Sequence, residues 1–131
     1  MSDKLQKQVS VELEQLHRLL QIHQPLLDKC ASSSPNQIEL SALAAMLHSF
    51  YTGIENIFKR VAVEMDGGPP AGEIWHRRLL DSMTRPGTDR PAVIGSALRD
   101  VLRGYLDFRH VFRHAYTHEL QWRKMSALVL G

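Results

Sequence analysis

Apolar residues recur every three or four positions along most of the chain, which is the spacing of one face of an α-helix. Neither the alternation typical of a β-strand nor an internal repeat of fixed period interrupts this pattern. The pattern predicts helices over residues 3–30, a long stretch ending at 65, about 71–83, about 94–115, and a last turn or two from 122. We therefore expect an all-α bundle of four to five helices, with two long central helices and shorter flanking ones.

Residues that begin or end helices separate these segments. Pro25 lies inside the first predicted helix and is expected to kink or shorten it. Ser34 or Asn36 can cap the second helix, because both side chains accept hydrogen bonds from free backbone N–H groups. The run 66–70 (Asp-Gly-Gly-Pro-Pro) should stop that helix, and 84–91 is a loop by composition.

Composition places the chain among ordinary globular proteins. With 44% hydrophobic and 23% charged residues over 131 positions, it can bury a core as one domain spanning 1–131. No apolar run reaches membrane-spanning length, and no signal-peptide core opens the chain. Cys30 is the only cysteine, which excludes an internal disulfide. We expect a cytoplasmic protein with no membrane contact.

Charge is distributed unevenly, although the net charge is only +2. From Trp75 to Arg123 the chain has nine arginines and five acidic residues, so the C-terminal half is the basic half. Arginine suits bidentate contact with phosphate. A solvated charged surface explains the same distribution equally well.

The segment Arg109–Tyr116 (Arg-His-Val-Phe-Arg-His-Ala-Tyr) places a permanent cation, a titratable imidazole and a phenol within eight residues. Metal-free RNA cleavage needs a base for the 2′-hydroxyl proton, a cation beside the phosphorus and an acid for the leaving oxygen. His114 can serve as base or acid, and Arg109 can stabilise the developing charge. The expected products are a 2′,3′-cyclic phosphate and a free 5′-hydroxyl. His110 can orient the phosphate, and Arg113 can bind a neighbouring one.

A helical wheel predicts how this segment is oriented. The apolar seam of the fourth helix centres between Val101 and Tyr105, with Arg109 at its edge. Arg109 and His114 are then about 140° apart around the helix and roughly 7.5 Å apart along it. Because they do not share one narrow face, a second copy of the chain would close the site more easily than one copy alone. We therefore expect a homodimer.

The titratable residues allow two other interpretations. His110, His114 and His118 are spaced by four, which would suit a metal, but no further ligand is evident and phosphate or solvent contact is favoured. No metal or cofactor is expected. Glu55 lies beside the apolar seam of the long helix, where it can support Arg109 or pair with Lys59 one turn later.

The segment Arg109–Tyr116 also resembles the R-x4-H-x-Y signature of HepT-like toxins, which belong to the HEPN superfamily of helical ribonucleases. The segments 49–58 (Ser-Phe-Tyr-Thr-Gly-Ile-Glu-Asn-Ile-Phe) and 72–76 (Gly-Glu-Ile-Trp-His) agree with that family. The resemblance implies a HEPN-like bundle and a homodimeric, metal-independent RNase toxin of a type II/VII-like toxin–antitoxin system. In that reading Arg109 and His114 are catalytic, and Glu55 has a plausible place in the active site.

The resemblance further implies a partner, an antitoxin of the MNT nucleotidyltransferase type that transfers AMP to Tyr116. Such a modification would place an anion near Arg109 and compete with RNA. The homodimer can then be part of a larger hetero-oligomer. Two alternatives remain: Tyr116 can be a core or interface aromatic, and the chain can be a non-catalytic helical binding partner of a minimal nucleotidyltransferase.

Overall fold

A computed structural model of the chain describes residues 3–72, 74–88 and 90–130. Glu73, within the segment 72–76, and Asp89, in the predicted loop, lie outside the described residues, as do the ends of the expected domain 1–131. Across the described ranges there are five α-helices, one 3-10 turn and no β-strand, which confirms the predicted all-α bundle. The elements are α1 (Asp3–Cys30), α2 (Gln37–Met65), α3 (Trp75–Ser82), α4 (Ser96–His114), the 3-10 turn (Thr117–Glu119) and α5 (Trp122–Leu130).

The two longest helices have the ends that the sequence predicts. Asn36 caps α2: its side chain accepts a hydrogen bond from the Glu39 N–H at 2.8 Å, and the Glu39 carboxylate accepts one from the Asn36 N–H at 2.9 Å. This reciprocal pair satisfies two backbone donors that the helix itself leaves free. The expectation that Pro25 shortens the first helix is wrong, because α1 continues through it to Cys30.

The predicted start of α3 near Ala71 is also wrong. Gly72 has a φ of +106°, a conformation that no α-helix contains and that glycine adopts most readily. The helix therefore begins only at Trp75 and is eight residues long. A short α3 follows from the prolines and glycines that precede it.

Helix α2 is central, since it contacts α1, α3, α4, α5 and the 3-10 turn. One core cluster joins the C-terminal part of α2 to α1, α3 and α4, around Tyr51, Phe58 and Leu79. A second cluster joins the N-terminal part of α2 to α5, around Leu43 and Met125. None of the helices in the described ranges is long and apolar enough to cross a membrane.

A buried arginine fixes the connection between α3 and α4. The side chain of Arg90 is only 6% exposed, and its guanidinium donates to both carboxylate oxygens of Asp66, at 2.9 and 2.7 Å. It also donates to the backbone carbonyls of Arg85 and Pro91. The loop before α4 is thereby attached to the C-terminal end of α2 by charge-assisted hydrogen bonds.

Helices α1 and α2 cross closely at Gly53. A Cβ at this position would lie 2.5 Å from Cδ2 of Leu16, which is buried. A Cβ at Gly104 of α4 would lie 3.3 Å from a methyl group of Leu128, which requires a smaller adjustment. Both glycines lie inside helices. Substituting each by alanine therefore compares how much a close contact at the added Cβ lowers the free energy of unfolding.

We expect Gly53→Ala to be less stable than Gly104→Ala by about 1–3 kcal/mol, the usual cost of overpacking a core. Both substitutions gain about 1 kcal/mol of helix propensity, which cancels in the comparison. Urea unfolding followed by circular dichroism measures the difference. Equal free energies of unfolding for the two variants would contradict a tight crossing at Gly53.

Candidate functional site

Helix α4 is rotated relative to the helical-wheel prediction. Its buried residues are Leu102 and Leu106, whereas Val101, predicted to lie at the centre of the apolar seam, is 57% exposed. A helical wheel gives every apolar residue of α4 the same weight. In the folded chain, only the side of α4 that meets the neighbouring helices is covered. Arg109 follows Leu102 and Leu106 by seven and three positions, so it lies on the covered side and not at its edge.

The environment of Arg109 is unusual for a cation. The residue is half-buried, and its Nε is buried with no hydrogen-bond partner among the described residues. Within the described part of the chain, the guanidinium forms no ion pair with a carboxylate within 4.0 Å. Its charge is therefore not neutralised by a direct partner and remains available to an anion.

Arg109 contributes to a groove between α3 and α4, with a cavity volume of about 510 Å³. We call this the α3–α4 groove. Its described lining residues include three arginines and two histidines against one carboxylate, that of Asp107, so the electrostatic character of this lining is basic. The residues that line it are Ile74, His76, Arg77, Leu106, Asp107, Arg109, His110, Val111 and Arg113.

His114 does not line this groove within a single chain. It is the last residue of α4 and is exposed, and its ring lies 4.7 Å from that of His110 with the planes tilted by 60°. The structure thus brings Arg109, His110 and Arg113 together in the groove. His114 lies outside the groove lining, and its ring contacts that of His110. This separation agrees with the expectation that the two motif residues do not share a narrow face.

Tyr116 lies beyond the end of α4. It is 73% exposed, its ring stacks on His118 at 5.4 Å, and its backbone N–H donates to the Glu119 carboxylate. The alternative that it is a core aromatic is wrong, because α4 ends at His114 and does not carry Tyr116 round to the apolar side. For the same reason only His110 and His114, of the three evenly spaced histidines, share one helix.

Glu55 has a partner that neither expectation named. It is 3% exposed on α2, and its Oε2 accepts a hydrogen bond from Nδ1 of His76 at 2.7 Å. Lys59 lies over the Trp75 ring instead, with Nζ 4.7 Å from the ring centroid, so the Glu55–Lys59 reading is wrong. Glu55 joins α2 to α3 through His76, at the wall of the α3–α4 groove.

Two further polar residues on α2, His48 and Tyr51, lie near Arg109 and were missed in the sequence. Tyr51 is fully buried, and its hydroxyl has no hydrogen-bond partner among the described residues. Burial raises the pKa of Tyr51, the charge of Glu55 raises it further, and the charge of Arg109 lowers it. The His48 ring contacts Phe112 at 5.2 Å, and its Nδ1 is also buried without a partner in the described chain.

Burial lowers the pKa of His48, and the nearby charges of Arg109 and Arg113 lower it further. His48, Tyr51 and Glu55 are spaced by three and four, so they form one polar stripe on the side of α2 that meets α4. The spacing of these three polar residues in the sequence indicates the stripe, which the apolar positions of α2 alone do not reveal.

Comparison with known proteins adds an independent observation. The model of a family described as HepT-like protein matches residues 42–130, which includes the whole α3–α4 groove and about two-thirds of the chain. The chain belongs to the HepT-like family. Neither the curated proteins nor the solved structures contain a match. Membership confirms the resemblance to HepT-like members of the HEPN superfamily and indicates a HEPN-type toxin–antitoxin component of nuclease type.

The lowered pKa of His48 predicts how the stability of this HepT-like chain depends on pH. Below the reference pKa of 6.5 the unfolded state takes up a proton that the folded state resists, so the folded state loses stability as the pH falls. We expect His48→Gln to lose less stability than the unsubstituted chain between pH 7 and 5. His17→Gln, at an exposed position of α1, is the control and should match the wild type.

Chemical unfolding at several pH values measures this difference. An unchanged or steeper loss in His48→Gln would show that His48 is not held neutral by its surroundings.

Proposed function

We propose that this HepT-like chain is a metal-independent endoribonuclease toxin, in which Arg109 and His114 carry out RNA cleavage at a homodimer cleft. The observation that carries the proposal is the α3–α4 groove. An open groove whose described lining has three arginines, two histidines and one acid is suited to a polyanionic chain. The motif residue Arg109 lies in that groove with no carboxylate partner.

Arg109 is suited to stabilise charge at phosphorus. The residue is half-buried, so its surroundings are partly removed from water, where electrostatic stabilisation is stronger. A guanidinium remains charged throughout the reaction. Arg113, one turn later in the same groove, is placed to bind the neighbouring phosphate.

His114 supplies proton transfer in this proposal. The 2′-oxygen attacks the adjacent phosphorus, its proton passes to a base, and the bond from phosphorus to the 5′-oxygen breaks as an acid protonates that oxygen. An imidazole titrates in the range where both roles are possible. The ring of His110 contacts that of His114 and also lines the groove. His110 is therefore suited to orient a phosphate that lies between Arg109 and His114.

A homodimer completes this site. In one chain Arg109 faces the covered side of α4, whereas His114 is exposed at the end of the helix. A second copy that brings its own α4 alongside would place the His114 of one subunit near the groove of the other. The exposed Val111 and Ile74, which lie at the groove, offer apolar area for that contact.

The antitoxin in this proposal is a nucleotidyltransferase that transfers AMP to Tyr116. The exposed phenol is accessible without any change in the bundle, and the acceptor oxygen is close in sequence to the arginines of α4. The added phosphodiester would carry negative charge to that region and compete with RNA for the guanidinium groups.

A second candidate function is a non-catalytic binding partner of a nucleotidyltransferase. The observation that favours it is the absence of His114 from the groove lining within one chain, which leaves a basic cleft that binds without cutting. Expression of the chain alone in cells separates the two functions, since only a toxin arrests growth without its partner.

We expect Arg109→Ala and His114→Ala each to lower the RNA cleavage rate by at least about 10²-fold, the usual contribution of a single electrostatic or acid–base group. Arg18→Ala and His17→Ala remove the same side chains from exposed positions of α1 and should cleave like the wild type. Cleavage of total RNA, with and without EDTA, and analysis of the new ends measure the effect.

Cleavage in EDTA with 2′,3′-cyclic phosphate ends is the expected result for the unsubstituted chain. Full activity of Arg109→Ala or His114→Ala would overturn the assignment of that residue, and dependence on a divalent ion would overturn the metal-independent mechanism.

For Tyr116→Phe we expect RNA cleavage within about 3-fold of the wild type, because the side chain is outside the groove and the ring is retained, an effect on the scale of a typical surface substitution. Incubation with the nucleotidyltransferase and ATP should add the mass of AMP to the wild type and not to the variant. Mass spectrometry of the intact protein is the measurement. An AMP adduct on Tyr116→Phe would place the modification elsewhere.

A further inference from the structure

The proposed reaction requires two proton transfers, one at the 2′-oxygen and one at the 5′-oxygen. The motif on α4 provides His114 for one of them. We infer that His76 of α3, held by Glu55, is the general base for the 2′-hydroxyl. This inference rests on the proposed ribonuclease function and adds a catalytic residue from outside the motif.

The first argument is position. His76 lines the α3–α4 groove together with Arg109 and His110, so its ring borders the space in which a phosphate would lie beside the guanidinium. Its side chain is 26% exposed, which leaves the imidazole accessible from the groove. His114, by contrast, reaches the same space only past His110 or from a second subunit.

The second argument is the state of the ring nitrogens. Glu55 is buried and accepts a hydrogen bond at 2.7 Å, so Nδ1 of His76 carries the proton. Nε2 is then the basic nitrogen, and it has no hydrogen-bond partner among the described residues. A carboxylate that fixes the tautomer and orientation of an imidazole, with the other nitrogen turned to the substrate, is the arrangement of an activated general base.

The third argument is charge. When Nε2 accepts the 2′-hydroxyl proton, the ring becomes an imidazolium whose Nδ1 lies 2.7 Å from the Glu55 carboxylate, a group of opposite charge. The positive groups around the groove, Arg77, Arg109 and Arg113, would otherwise oppose a new cation. Glu55 offsets their effect at His76 alone. The other imidazole of the groove, His110, has no carboxylate within 4.0 Å among the described residues.

The proton balance closes with two imidazoles. His76 takes the proton from the 2′-hydroxyl as the bond between the 2′-oxygen and phosphorus forms. The bond between phosphorus and the 5′-oxygen breaks, and the imidazolium of His114 gives its proton to that oxygen. Exchange with water then returns both rings to their starting states.

A structural explanation also exists, since the Glu55–His76 bond attaches α3 to α2. His76→Asn separates the two explanations. The asparagine amide can occupy the place of Nδ1 and donate to Glu55, so the attachment is retained, while the nitrogen that corresponds to Nε2 is gone. The midpoint of thermal unfolding checks that the variant remains folded.

The test uses two forms of one oligoribonucleotide that the wild type cuts, one unmodified and one with sulfur in place of the 5′-oxygen at the cut bond. A thiolate leaves without being protonated, so the sulfur form no longer needs an acid but still needs a base. We expect His76→Asn to be slower by at least about 10²-fold on both forms. His114→Asn should be slow on the unmodified form and recover on the sulfur form, and His17→Asn should match the wild type on both.

A folded His76→Asn variant with wild-type rates on both forms would overturn the inference and leave the proposed function in place. Recovery of His76→Asn on the sulfur form would make it an acid and would also overturn the inference. If His76→Asn unfolds, His76→Ala with added free imidazole replaces it, and failure of imidazole to restore cleavage counts against a base. If the wild type cleaves neither total RNA nor any oligoribonucleotide, the proposed function itself fails.

Discussion

A carboxylate buried on the central helix sets the main constraint on this bundle. Glu55 is almost inaccessible to water on α2, and a buried charge without a partner costs several kcal/mol, about 3–5 when one member of a buried pair is removed. The hydrogen bond from His76 meets this need, and it does so by joining α3 to α2. Because α3 forms one wall of the α3–α4 groove, the partner of a single buried residue determines where the basic groove lies.

The other wall, α4, is placed by contacts of a different kind. Leu102 and Leu106 are buried, while Arg109 on the same side lies close enough to His48 and Tyr51 of the polar stripe for its charge to lower the pKa of both. The bundle thus holds a cation against polar groups that do not neutralise it. Such an arrangement costs stability in the absence of an anion, and it is typical of a functional site, where perturbed titratable groups gather.

The sequence predicted helix ends well where local chemistry determines them. The Asn36–Glu39 capping pair and the long 3–4 spacing of α2 needed no tertiary information. The orientation of α4 was not predictable in this way, because Val101 is as apolar as Leu102 and only the neighbouring helices decide which is covered. The Glu55–His76 bond spans 21 residues and depends on the turn at Gly72, so no local pattern indicates it.

The buried Nε of Arg109 has a consequence for how an anion can approach. A guanidinium offers two edges for a pair of oxygens: the side edge, which includes Nε, and the end edge, formed by the two terminal nitrogens. With Nε enclosed, the side edge is closed to an incoming ligand. An approaching phosphodiester would therefore meet the end edge of the guanidinium with its two non-bridging oxygens. In the proposed function, this would restrict the angle at which an RNA strand crosses the helix.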